Sequence, residues 1–124
     1  MKYSVIWGEK SVCIDYFGDI ENKDIESAHF ELSGDERFYD CQHLILDISN
    51  CNMDKVSVPE LELVVAIDLG ASKTNKYLKV AMIANDQISI EKASAYISQL
   101  HLHKSPWVFK IFNSINDANV WLDT

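Results

Sequence analysis

Few side chains in this 124-residue chain stand at spacings that support chemistry. Asp47 and Asp54 bracket a short polar loop. Paired carboxylates can divide acid–base work between them, but they need a shared cleft and a reacting group. No His or Cys lies at a matching spacing, so Asp47 is expected to accept hydrogen bonds from loop N–H groups instead. Ser57 opens the sequence Ser57-Val58-Pro59-Glu60 and has two readings. It is a phospho-acceptor at a helix N-terminus, where the dipole favours added negative charge, or it is a cap that satisfies free N–H groups. His29 falls on an apolar stripe, the position of a hydrogen-bonded core histidine. His101 and His103 flank Leu102 at a helix end, where an imidazolium would complement the dipole. Metal binding by these, or by Cys41 with His43, would require four ligands at workable spacing. No metal or other cofactor, and no catalytic residue, is expected.

The elements that position these residues follow from periodicity. Leu44-Ile45-Leu46 is an unbroken apolar run ending at Asp47, the pattern of a parallel strand covered on both faces. Leu78–Ala84 and Trp107–Phe112 read the same way. Tyr3–Trp7 and Ser11–Phe17 are rich in aromatic and β-branched residues and flank Gly8-Glu9-Lys10, a hairpin signal with Gly8 free to take positive φ. Helices are expected from Asn22 or Asp24 to Leu32, closed by Gly34; from the Ser57-x-x-Glu60 capping box to about Gly70; over Ile90–Leu102, capped by Asp86 or Ser89; and from Asn113 or Ser114 to the end. Phe38 and Tyr39 are expected to tuck under the sheet edge, and Trp7, Trp107 and Trp121 to serve as core or rim residues. The order is ββαβαβαβα. It implies one α/β domain spanning 1–124, with a mixed, mainly parallel sheet of about five strands, an N-terminal hairpin and about four helices.

Charge and composition bound the partners. Nineteen acidic residues against eleven basic ones give a net charge of −8, so a phosphate backbone or an anionic membrane surface is an unfavourable partner. Three cysteines, Cys13, Cys41 and Cys51, form no CxxC pair, and an odd number cannot close a disulfide framework. Met1–Lys10 lacks the apolar core of a secretory leader, and no apolar run approaches membrane-spanning length. A reduced cytoplasm without stable membrane insertion is the expected setting.

Four motifs in their order carry a family resemblance. Gly18-Asp19-Ile20 follows the second strand, and Leu44-Ile45-Leu46-Asp47 forms the central one. Val80-Ala81-Met82-Ile83 is an alanine-containing strand. Ile111-Phe112, Ala118 and Trp121-Leu122 make up the C-terminal tail. Together they resemble the STAS domains, and among these the stand-alone SpoIIAA-like proteins, also grouped as STAS/SEC14. The resemblance implies a regulatory module of the anti-sigma factor antagonist kind, or a SEC14-like carrier of a small apolar or lipid-like molecule. Antagonists carry an Asp-Ser-Ser/Thr-Gly step after the central strand, where a serine is phosphorylated. This chain has Asp54-Lys55-Val56-Ser57-Val58-Pro59, in which Asp54 matches the acid, Ser57 is an offset match for the serine, and the glycine is missing.

The helix after that step is more apolar than one buried stripe requires. Leu61, Val65 and Leu69 share a face, while Leu63, Val64, Ala66 and Ile67 carry apolar surface around most of the circumference. The excess points to a second contact, with a protein partner, another copy of the chain or an apolar ligand. The residues expected to make it are Asp54, Lys55, Ser57, Leu63 and Ile67.

Overall fold

A computed structural model describes residues 2–124. Its main sheet has five strands: β1 (Tyr3–Gly8), β2 (Ser11–Tyr16), β4 (His43–Asp47), β6 (Lys79–Ile83) and β7 (Val108–Phe112), adjacent in that order. A two-stranded parallel ribbon, β3 (Gly18–Asp19) with β5 (Cys51–Asn52), sits beside it. The helices are α1 (Asn22–Gly34), α2 (Glu62–Ala71), α3 (Gln87–Leu102) and α4 (Ile115–Leu122). Single 3₁₀ turns at Glu36–Asp40 and Pro59–Leu61 precede β4 and α2. Within the main sheet, among the described residues, β1 and β2 pair antiparallel and the other three pairings are parallel. The α/β class, the hairpin and the mainly parallel sheet are as the periodicity implies.

Register divides the sheet into two unequal faces. Val12, Leu44 and Val80 align across the strands, as do Ile14, Leu46 and Met82. These six side chains are buried beneath α1, α2 and α3 in the main core. Alternation sends Cys13, Ile45 and Ala81 to the opposite face. There only α4 packs, setting Ala118 and Leu122 on Ala81 and Ile83. The side of this face nearer β1 has no covering helix, and Ile6 is exposed on it.

Several local features differ from the sequence reading. In the hairpin, Lys10 and not Gly8 takes positive φ, at 55°. Gly8 is closely approached instead: a Cβ there would stand 2.6 Å from the Ser11 hydroxyl, which would have to turn aside. The N-cap of α1 is Glu21, with the Asp24 carboxylate accepting from its N–H at 2.9 Å. Gly34 is the last residue of α1 and makes no left-handed cap; Asp35 follows in extended conformation. Phe38 is buried, whereas Tyr39 is exposed. Trp107 is a core residue, and its indole N–H donates to the Asn75 carbonyl at 2.7 Å.

Candidate functional site

The segment from Asp47 to Ile67 runs from the C-terminal end of the central strand to the outer surface of α2. In open α/β sheets sites gather at that end of the strands. Asp47 accepts from the Ser49 N–H at 3.0 Å and the Ser49 hydroxyl at 2.6 Å. It therefore closes the loop, as expected. Across the strands it stands in register with Asp15. Partial burial, and secondly the Asp47 charge, raise the Asp15 carboxyl above its usual range.

The loop is strapped down from both sides. The Lys92 ammonium, on α3, donates to the carbonyls of Met53 at 2.6 Å and Asp54 at 3.1 Å. On the α1 side, the Asn22 side chain both accepts from the Ser57 N–H at 2.7 Å and donates to the Ser57 carbonyl at 3.0 Å. These bonds correct the expected capping box. Ser57 lies before the helix: a 3₁₀ turn begins after Val58, and neither it nor α2 has a side-chain cap. Pro59, with no N–H to satisfy, starts that turn.

The five residues singled out in the sequence separate into two sets. Lys55, Leu63 and Ile67 border a trough between α1 and α2. Leu63 is 54% exposed there, and Phe30 of α1, which the sequence reading passed over, is 71% exposed. Asp54 and Ser57 do not line the trough; the backbone carbonyl of Asp54 accepts from Lys92 of α3 while its side chain is exposed, and Ser57 is half-buried against Asn22.

Beneath α2 lies a polar junction that was not foreseen as a unit. Asp68, 2% exposed, meets His29 of α1, with both carboxylate oxygens 2.9 Å from Nδ1. The Tyr96 hydroxyl of α3 donates to the same carboxylate. His29 is thus the hydrogen-bonded core histidine that its stripe implied. Tyr16 lies close by, with its hydroxyl buried and without a hydrogen-bond partner. Burial, then the nearby Asp68 charge, push the Tyr16 and Tyr96 phenols well above their usual range. A cavity of about 30 Å³ adjoins the junction, walled by Leu46, Ile48, Met53, Leu61 and Met82.

The chemistry these groups can perform is narrow. The thiols of Cys13 and Cys51 are pushed up to about 12 and that of Cys41 to about 11, in each case chiefly by burial. They are poor nucleophiles near neutral pH. All three cysteines are free. Among the described residues, no group of three or more His, Cys, Asp or Glu side chains is placed to hold a metal ion. Among the described residues, no helix is long and apolar enough to cross a membrane.

Solved structures of the same architecture exist. Over 98% of this chain and 96% of the other, the structure superposes on the anti-sigma factor antagonist SpoIIAA in its unphosphorylated form, with a TM-score of 0.64 and 11% identity. The fold is SpoIIAA-like. An uncharacterised DUF3478-family protein from Shewanella loihica PV-4, described as having a SpoIIAA-like fold, matches with a TM-score of 0.55 and 18% identity. That match covers 97% of this chain and 91% of the other. No protein-family profile matches the sequence, and no curated protein matches it. The resemblance read from the four motifs is therefore one of fold, seen in three dimensions across nearly the whole chain.

Proposed function

We propose that this SpoIIAA-like chain is a non-enzymatic regulatory module that binds a protein partner through the trough between α1 and α2 and the loop that leads into it. The observation that carries this reading is the exposure of Phe30 and Leu63 on adjacent helices, beside Ile67 and Lys55. Apolar side chains grouped on a surface are characteristic of interaction sites. The antagonist role of the similar SpoIIAA structure is in keeping with a regulatory module. Three free, unreactive thiols suit a reduced cytoplasm. The alternative, a carrier of an apolar molecule, receives less support. A cavity of about 30 Å³ compares with roughly 300–1,000 Å³ for sites that enclose small organic ligands.

The test is native mass spectrometry of untagged protein taken from its own cells. The wild-type chain is expected in a complex, and Leu63→Glu/Ile67→Glu as the free monomer. A wild-type chain that is already a bare monomer, or a double variant that keeps its complex, would sink the reading.

A further inference from the structure

The trough has a particular chemistry. Its two depressions, of about 590 and 400 Å³, share Glu26 and Leu63 and so run into one another. Phe30, Leu63 and Ile67 provide an apolar floor. The opposite stretch is bordered by Glu21, Glu26, Glu60 and Glu62. Two lysines lie there as well, and each already faces an acid: Lys23 stands 3.9 Å from Glu21, and Lys55 stands 4.0 Å from Asp19. The trough is therefore apolar at its base and acidic at its edge, on a chain of net charge −8.

Its walls limit the form of the occupant. Both are helices, whose backbone groups are bonded internally, and among the described residues no strand contributes to the lining. An extended peptide would find no ladder to join there, whereas a helix brings its own backbone bonds and needs only an apolar stripe. We propose that the partner presents a basic amphipathic helix, with apolar residues at i, i+3 or i+4, and i+7 on Phe30, Leu63 and Ile67, and with Lys or Arg flanking them toward the glutamates. The proposal rests on the trough being the docking site and goes further by naming the chemistry of what docks. A second copy of this chain does not fit. Neither α2 nor α4 carries a Lys or Arg, α1 is acidic, and the one lysine of α3, Lys92, is held by the Met53 and Asp54 carbonyls.

The test uses the full chain and a fluorescein-labelled synthetic 18-residue helix with Leu at positions 4, 8, 11 and 15 and Lys beside them. Binding is read by anisotropy at physiological salt. Glu26→Lys/Glu60→Lys is expected to weaken binding at least tenfold. Glu91→Lys/Asp117→Lys, which changes net charge equally at exposed sites outside the trough, is expected to change it less than twofold. A peptide with Glu in place of Lys should not bind, and one with Ser in place of Leu should bind at least tenfold more weakly. Equal losses from the two charge reversals would reduce the interaction to general attraction for an acidic protein and overturn the proposal. A homodimer in native mass spectrometry that Leu63→Glu/Ile67→Glu dissolves would do the same. The two readings part in the cellular complex. If Leu63→Glu/Ile67→Glu releases the partner and Glu26→Lys/Glu60→Lys does not, docking in the trough stands and the basic helix fails. If neither releases it, both fail.

Discussion

The inward and outward sides of α2 contain opposite exceptions to ordinary amphipathic patterning. Inward, Asp68 is 2% exposed, at the meeting of α1, α2 and α3. Outward, Leu63 is 54% exposed, and Ile67 borders the same open trough. A buried carboxylate is unfavourable unless it is hydrogen-bonded, and an exposed leucine forgoes about 2 kcal/mol of burial. The inward exception is resolved within the chain, because His29 and Tyr96 both meet the carboxylate. The outward one has no internal resolution, and it is the side to which a binding role is assigned. The two sides differ in whether the exception finds its partner within the chain.

The largest expected effect comes from breaking the inward side. Asp68→Ala leaves the His29 ring nitrogen and the Tyr96 hydroxyl without their acceptor. It should lower unfolding free energy by about 3 kcal/mol, read as a lower midpoint in urea. A loss under 1 kcal/mol would mean that the junction is not a structural tie. Tyr16→Phe should act in the other direction, since it removes a buried hydroxyl that has no partner. A gain of about 1 kcal/mol is expected; a loss would show that the hydroxyl is bonded after all.

Asp15 sharpens the comparison with an acid that, unlike Asp68, faces a second carboxylate. Its carboxyl is raised from the usual 3.8 by partial burial and then by Asp47. The folded state thus holds the proton more tightly than the unfolded one. The penalty is absent below 3.8, appears as pH rises through the folded-state value, and is complete at neutral pH. Asp15→Asn should raise stability at pH 7 by on the order of 0.5 kcal/mol, and the gain should vanish as pH falls toward 3.8. A gain that persists at pH 3 would point to a cause other than charge. The smallest stability effect belongs to the outward side. Leu63→Ser should change unfolding free energy by no more than about 0.5 kcal/mol while weakening partner binding in native mass spectra. A large destabilisation would mean that Leu63 is part of the core.

Much of the fold was legible because it depends on local patterns. Leu44-Ile45-Leu46 and Val80-Ala81-Met82 are apolar without interruption because helices lie over both strands, and that run marks a parallel sheet. The helix expected over Ile90–Leu102 is also present, as α3, with Ala93, Tyr96 and Leu100 of it in the core. Signals that depend on competition were misread. Ser57-x-x-Glu60 has the form of a capping box, yet the Ser57 N–H and carbonyl are both bonded to Asn22, thirty-five positions earlier, and the helix starts beyond the serine. The site was legible only in outline. Leu63 and Ile67, which border the trough, were singled out because α2 has more apolar residues than one stripe needs. Phe30 was missed because α1 looks sufficiently amphipathic without it. Asp68 was missed because nothing local distinguishes a buried carboxylate from an exposed one; its partners lie on two other helices.

The three-helix junction has one more consequence, for how a partner would arrive. His29, Asp68 and Tyr96 come from α1, α2 and α3, so a rotation of α2 about its own axis would withdraw the carboxylate from both donors at once. The orientation of α2 toward α1 is therefore settled before anything docks, and with it the width of the trough above. Association with such a pre-organised surface would involve little ordering entropy on this side, and its rate would be set by encounter and orientation rather than by a slow rearrangement of the helices.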